Sequence, residues 1–421
     1  MKLKIQFHQF KVSTRMLLSR RLPGLFYKHR YLVYSCLIVL STIVYFLFKW
    51  NLYCVNFQAW QHVKKMCHLY GKGLAVGSLC APLCTTKDIH SLTCHSFQAT
   101  KEAVFSAEWH NIRLVFKSVP KDTQAIHWYE NGMIRYPTEK EFLSTIRTIV
   151  KNKLNLTLAY DTAVRLSRLK PSYEEKNKLK RQKEIDNLWF LLQDNEYLLS
   201  ALFTDKDVFP QLLGTCGQYY AVEYLEPVPD VNSLLSISDS KEDWGRKLRI
   251  AVQILDLLEE LETGFREPFH LCDIKIQHFG FVKGSTRLKF IDLDGVLPRS
   301  VINSVLKGVR YCNSDNDCDF LDCRSRCNLK THKCSDTVAN NNLQIVCEKI
   351  FLGWRMSNTI IVPGLLMSQH TPSDLATILR QCANPLNEPG KSRDVPEEDV
   401  KKRLYNVISE IEQSIDSDFF L

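Results

Sequence analysis

Residues 31–48 read YLVYSCLIVLSTIVYFLF and hold no charged side chain. As a helix this run rises about 27 Å, enough to cross the hydrocarbon layer of a bilayer. Ahead of it stand Lys2, Lys4, Lys11, Arg15, Arg20, Arg21, Lys28 and Arg30, with no Asp or Glu, so residues 1–30 carry +8 of the net charge of +9. Positive flanks stay on the cytosolic side. The expectation is a single-pass type II signal anchor, with the bulk of the chain luminal. A cleaved signal peptide fits less well, because Phe48-Lys49-Trp50-Asn51 lacks the small residues of a cleavage site. A buried core helix leaves the basic leader unexplained. The rest of the chain carries only +1, which gives no reason to expect a nucleic-acid surface. Its 45% hydrophobic and 24% charged content fits a globular chain, and 421 residues suggest two to three domains.

Cysteine usage agrees with a lumen. There are fifteen cysteines, and Cys36 lies inside the apolar run, which leaves fourteen beyond it. An even number past a secretory signal points to disulfides in an oxidising compartment. One cluster is Cys54, Cys67, Cys80, Cys84 and Cys94; the other is Cys312, Cys318, Cys323, Cys327 and Cys334. Cys216, Cys272, Cys347 and Cys382 stand outside both, and Cys272 is the first candidate for a free thiol. No C-x2-C pair is present, which argues against zinc. The pairing stays open. Asn155-Leu156-Thr157 is the one N-glycosylation sequon, making Asn155 the candidate glycan acceptor. Arg20-Arg21 is a candidate retention signal. The endoplasmic reticulum membrane is the first choice of location and the Golgi the second.

The pattern beyond residue 49 divides as follows. Residues 49–100 form a cysteine-rich stem and the start of a first lobe, and 101–225 continue that lobe around a polar insert at 119–185. Residues 226–421 form a second lobe with a cysteine-rich module at 312–334. Strand-like runs at 103–105 and 112–116 flank a turn at His110-Asn111. A basic helical stretch is expected from Arg165 to Lys183, and one helix over 186–203. A strand pair ends in Tyr219–Leu225, and 242–263 carries Trp244, Leu248, Ala251, Leu255 and Leu258 on one helical stripe. A hairpin over 279–291 runs straight into Asp292-Leu293-Asp294. Helices are expected over 341–355, over 373–383 with Ser373 as N-cap, and over 397–415.

The order of strands, helix, strands, long helix, polar loop with an Asp, hairpin and second Asp resembles a protein-kinase fold. Leu271-Cys272-Asp273-Ile274-Lys275-Ile276-Gln277-His278 is similar to the kinase catalytic loop, with Asp273 at the base position and Lys275 at the catalytic-loop lysine. Asp292 stands where kinases place the metal-binding Asp. Leu114-Val115-Phe116-Lys117 matches the strand that presents the phosphate-binding lysine, and Glu196 fits its partner. Glu223 and Leu225 fall in the hinge that contacts adenine. These residue types suit phosphoryl transfer, which needs positioning and charge neutralisation more than covalent help. The chain as a whole resembles the divergent protein kinase domain family, type 1, cysteine-rich type II membrane proteins of the secretory pathway. The matching text is Gly77-Ser78-Leu79-Cys80, Leu83-Cys84, Cys272-Asp273, Phe290-Ile291-Asp292-Leu293-Asp294, Asp315–Phe320 and Asn340–Gln344. The resemblance implies an α+β, two-lobed protein-kinase-like fold with disulfide-rich additions after one transmembrane helix. It also implies ATP with Mg²⁺ or Mn²⁺ as cofactors and a luminal protein or glycan hydroxyl as acceptor.

The chain departs from that pattern in places. His278 replaces the Asn that binds a second metal, and imidazole suits Mn²⁺ better than Mg²⁺. No glycine lies in Cys94–Thr100, where a Gly-rich loop belongs; Gly71, Gly73 and Gly77 lie too far upstream and are expected in turns. The family's EF-hand insert survives as Asn131-Gly132-Met133-Ile134 with Glu139 and Glu141. Its ligand positions hold His127, Tyr129, Asn131 and Thr138, a poor Ca²⁺ set. Asp315, Asp317, Asp319 and Asp322 are a weaker cation candidate. Catalytic kinase and inactive pseudokinase scaffold both stay open, as does a disulfide-rich adhesion or cargo module.

Overall fold

The structure is a computed structural model and describes residues 30–49, 56–94, 101, 103–119, 128–169, 177–229, 240–308, 311–356, 359–387 and 390–419. The basic leader, Arg20-Arg21, Cys54 and His127 lie outside the described residues. Helix α1 spans Arg30–Lys49, and its described apolar side chains, Leu37 to Val44 among them, are exposed. Over the residues whose side chains are described, no helix is long and apolar enough to cross a membrane.

The first lobe is a five-stranded antiparallel sheet of β1 (His90–Cys94), β2 (Val104–Trp109), β3 (Ile112–Ser118), β6 (Leu212–Cys216) and β7 (Tyr219–Glu223), in the order β1-β2-β3-β7-β6. His110 and Asn111 both have positive φ, so the β2–β3 turn takes the tight form that suits a twisted hairpin. Side chains alternate across the sheet. Phe105, Leu114, Phe116 and Ala221 face the stem layer, while Val115, Tyr220 and Val222 pack towards the main core. The stem layer consists of α2 (Asn56–Gly71) and α3 (Cys80–Cys84). Disulfide Cys67–Cys84 joins these helices, and Cys80–Cys216 fastens α3 to β6. Gly77 sits so close to Thr215 that a Cβ would lie 2.1 Å from its carbonyl oxygen, and its φ of +151° is one that other residues avoid.

The insert is more structured than its polarity suggests. A short hairpin, β4 (Trp128–Glu130) and β5 (Met133–Arg135), is followed by α4 (Glu139–Leu154), which opens on a capping box between Thr138 and Glu141. Phe142, Leu143, Ile146, Val150 and Leu154 recur on one face of α4 and join the main core. Burial of side chains of this size stabilises by about 1.5–3 kcal/mol each. The expected basic helix over 165–183 is instead the end of α5 (Tyr160–Ser167), which stops at Arg168 in a left-handed conformation, and the start of α6 (Lys178–Leu192). The single helix expected over 186–203 also breaks. Asp194 leaves helical geometry to cap a new helix, α7 (Asn195–Leu202), accepting from the Tyr197 N–H.

The second lobe is built on α8 (Lys241–Thr263), whose Trp244, Leu248, Ala251, Leu255 and Leu258 are buried. It packs on the C-terminal helix Glu398–Phe419. Strand β8 (Leu225–Pro227) pairs with β10 (Phe279–Val282), which pairs with β11 (Leu288–Phe290); β9 (Phe269–Leu271) pairs with β12 (Val296–Pro298). These strands bring the 272–278 loop and the 291–295 segment side by side. The helix expected over 341–355 is only 342–351; Gly353–Met356 turns into a hairpin with Thr359–Pro363, since Gly353 needs a positive φ. The helix Ser373–Ala383 has the expected bounds, but Pro372 rather than Ser373 is its N-cap. Pairing in the module is Cys312–Cys327 and Cys318–Cys334. Cys272 is not a free thiol: it is bonded to Cys323, because β9 delivers it against the module. Cys347 pairs with Cys382, and Cys94 is also disulfide-bonded. Cys36 is the free cysteine among the described residues.

Candidate active site

Lys117 stands opposite Tyr220 in the β3–β7 register, on the sheet face turned to α7. Its Nζ donates to Glu196 Oε2 at 2.6 Å and to the Ile291 carbonyl at 3.2 Å. The other oxygen of Glu196 accepts from the Leu293 N–H at 3.2 Å. One carboxylate thus joins a first-lobe strand, a first-lobe helix and the Asp292 segment. Burial alone would raise the Glu196 pKa, but Lys101 and Lys117 beside it outweigh burial and hold it well below the usual carboxylate range.

Sequence reasoning missed Lys101. It lies in the β1–β2 connection and is fully buried. Its Nζ is 2.6 Å from Glu196 Oε2, 3.3 Å from Asp194 Oδ2, 3.0 Å from the Tyr220 hydroxyl and 3.7 Å from Asp294 Oδ1. Burial would lower its pKa, yet Glu196, Asp194 and Asp294 raise it, so the ammonium stays charged. The Tyr220 hydroxyl donates within the same group, to Asp194 or Glu196. Burial pushes Tyr220 well up, with the three acids adding to it. A lone lysine ahead of a strand carries no signal in one sequence, and neither Asp194 nor Tyr220 belongs to a motif.

On the other side, Asp273 is half-buried and pairs with exposed Lys275 at 2.8 Å. His278 lies in the turn Ile276–His278, its Nδ1 3.0 Å from the Asp273 carbonyl and its Nε2 3.4 Å from Asp292 Oδ2. A carbonyl only accepts, so Nδ1 carries the hydrogen, and Nε2 is the ring nitrogen turned towards the Asp292 carboxylate. These are the two atoms that could share a cation at that place. Asp273, His278 and Asp292 offer ligand atoms within 4.8 Å of one another, as do Glu196, Asp292 and Asp294. Burial and the charge of Glu196 raise Asp292, and burial with Glu196 pushes Asp294 up to about 7. A divalent cation would relieve both. Asp292 belongs to both groups, so Lys117, Glu196, Asp273, His278 and Asp292 converge on one cleft.

The 272–278 segment is clamped from the module. Asp322 accepts from the Ile274 N–H at 2.8 Å and from Lys349 at 2.7 Å, and its own N–H donates to the Cys272 carbonyl at 2.7 Å. Asn342 accepts from the Leu271 N–H and donates to the Phe269 carbonyl, fixing β9.

Other candidates have other partners. The Glu223 carboxylate accepts from the Gln211 N–H and from Lys289, and Leu225 is buried in β8. Their side chains are thus engaged in the fold. The EF-hand stretch is a hairpin turning at Asn131 and Gly132, with Glu141 bound to Arg135 and Thr138 capping a helix. Among the described residues it holds no cluster of metal-ligating side chains. Asp317 caps its own turn, Asp315 accepts from the Cys327 N–H, and Asp319 pairs with Arg393. With Asp322 on the catalytic loop, these acids are internal braces. The Asn155 amide nitrogen donates to Ser300 at 2.9 Å, a bond that a glycan on that nitrogen would disturb.

Two family models match this chain. Residues 188–385 match the protein-kinase domain of FAM69, and residues 21–168 match the N-terminal cysteine-rich ER region of FAM69. The chain belongs to the FAM69 family. Membership accounts for a kinase-like, mixed helix-and-sheet domain carrying disulfides, within a family described as cysteine-rich and of the ER. Among solved structures, a chain of the Rv3197–erythromycin complex from Mycobacterium tuberculosis matches at 13% identity over 78% of this chain and 75% of that one. The TM-score is 0.26, too low for the two folds to be equated.

Proposed function

We propose that this protein transfers a phosphoryl group from ATP to a hydroxyl of a luminal protein or glycan, from a domain anchored in the ER membrane by residues 31–48. The supporting observation is the convergence of Lys117, Glu196, Asp273, His278 and Asp292 on one cleft. ATP with its divalent cation would supply the transferable group; Asp292 and His278 would hold the cation, with Mn²⁺ the better match to imidazole. Glu196 and the Ile291 carbonyl hold the buried Lys117 ammonium, whose third N–H would serve phosphate oxygens. Asp273 is half-exposed, so its carboxylate can orient an acceptor hydroxyl and take its proton. Lys275, paired with Asp273, can swing to the transferred group. The uncharged run, the basic leader and the disulfides support a luminal domain.

A pseudokinase is the second reading, favoured by the buried Lys101 in the β1–β2 connection and by His278 at the asparagine position. The test is the full-length chain in detergent with labelled ATP and Mg²⁺ or Mn²⁺, beside Asp273→Asn and Asp292→Ala. Transfer abolished by both substitutions supports the enzyme. Nucleotide-dependent thermal stabilisation without transfer selects the pseudokinase.

A further inference from the structure

Glu196 Oε2 accepts two ammonium groups at the same distance, 2.6 Å from Lys101 and 2.6 Å from Lys117. The phosphoryl-transfer reading uses only Lys117. We propose that Lys101 is a positioning residue of the nucleotide site, fixing Glu196 so that Lys117 is free to engage the phosphates. The inference rests on the kinase reading and adds a second cation to that site.

The division of labour follows from what each ammonium touches. Lys101 is enclosed by Glu196, Asp194, Tyr220 and Asp294, and its side chain is 0% exposed. It has nothing left to offer a ligand. Lys117 is nearly as buried, its side chain 4% exposed, but its described contacts are Glu196 and the Ile291 carbonyl, which leave one N–H uncommitted. With a single lysine, turning towards a phosphate loosens the hold on the glutamate, and a buried carboxylate left unpaired is costly. A second ammonium removes that conflict, because Glu196 stays charged and fixed when Lys117 moves.

Topology adds a second argument. Lys101 comes from the β1–β2 connection, whose residues Cys94–Thr100 hold no glycine to approach phosphates closely. Its ammonium also reaches Asp294, two residues beyond Asp292. The same side chain therefore ties the β1–β2 connection to the segment that carries Asp292.

A purely structural role is the rival, and charge-balanced variants separate the two. The full-length chain in detergent is titrated with ATP plus Mn²⁺ and with adenosine, as wild type, Lys101→Met and Lys101→Met with Asp194→Asn. The double variant removes one charge of each sign and keeps an N-cap residue on α7. It is expected to melt within about 4 °C of wild type and to bind adenosine as wild type does. Its ATP affinity is expected to fall about 30-fold, the scale of losing one partner of a buried charge pair. Wild-type ATP affinity in the double variant overturns the inference and leaves the kinase reading standing. No binding of ATP by the wild type, with either metal, overturns the kinase reading and the inference together.

A readout that needs no substitution covers the case in which the variants do not fold. An acyl-phosphate derivative of ATP acylates the lysine nearest the phosphates, releasing the nucleotide phosphate as the amide bond forms. Acylation of Lys117 with Lys101 untouched supports the assignment. Preferential acylation of Lys101 overturns it, because Lys101 would then face the phosphates directly.

Discussion

On the Lys117 side of the cleft, side chains are held by charge. Two ammonium groups, Asp194, Glu196 and the Tyr220 hydroxyl form one fully buried group. On the Asp273 side the reactive side chains are half-exposed or exposed, and the backbone beneath them is held instead. Cys272 is bonded to Cys323, and Asp322 grips the Ile274 N–H. The difference matches what each side is proposed to do. Phosphate positioning gains from a dry, preorganised field, where each interaction is stronger than in water. A residue that receives an acceptor must stay accessible, so its rigidity has to come from the main chain. Charge pairing is also indifferent to redox state, whereas the cross-linked side depends on an oxidising compartment.

The contrast is broken most severely at Glu196. Glu196→Gln removes the carboxylate partner of the buried Lys117 and one of the three acids around Lys101. A loss of about 3–5 kcal/mol is expected, the usual consequence of removing one partner from a buried pair. Denaturant unfolding of the purified chain checks this. A loss under about 1 kcal/mol would mean that the group behaves like a surface salt bridge and that the charge-held description is wrong.

The covalent side is tested by replacing Cys272 and Cys323 together with serine. The bridge closes a separation of 51 residues. Chain-entropy arguments give about 4 kcal/mol for a loop of that size, less here because Cys312–Cys327 and Cys318–Cys334 already constrain part of the intervening chain. A loss of about 2–3 kcal/mol is therefore expected. The local signature sharpens the comparison. Amide exchange should rise at residues 271–278 while the Lys117 strand keeps its protection. Equal loosening of both sides would show that the cleft opens as one unit.

The two sides were also unequally legible in the sequence. Lys117, Asp273 and Asp292 sit near strand ends, and the resemblance of their neighbours to kinase motifs picks them out. Lys101, Asp194 and Tyr220 act through three-dimensional convergence from three elements, and none has a local pattern. The break at Asp194 was hidden because Leu188, Leu191, Leu192 and Leu198 keep apolar spacing across it; only the cap bond to Tyr197 reveals a new helix. The insert misled in the opposite direction. It reads as polar over 119–185, yet α4 sends a full apolar face into the main core. Cys272 looked free because its neighbours belong to a catalytic motif, whereas its partner lies in a module that sequence order keeps remote.

The smallest expected stability effect is the most telling, because it repeats the acid-to-amide change on the opposite wall. Among the described residues Asp273 has its ion pair with Lys275, whose side chain is 54% exposed, and such a pair is worth little in water. Asp273→Asn should therefore shift unfolding by no more than about 0.5 kcal/mol, while Glu196→Gln costs several times that. Phosphoryl transfer by the same Asp273→Asn protein should be lost, since an amide cannot take the acceptor proton. A stable, transfer-dead variant would separate chemistry from architecture at this residue. A clearly destabilised one would mean that Asp273 braces the loop much as Asp322 does, and the proposed division between a charge-held wall and a backbone-held wall would fail.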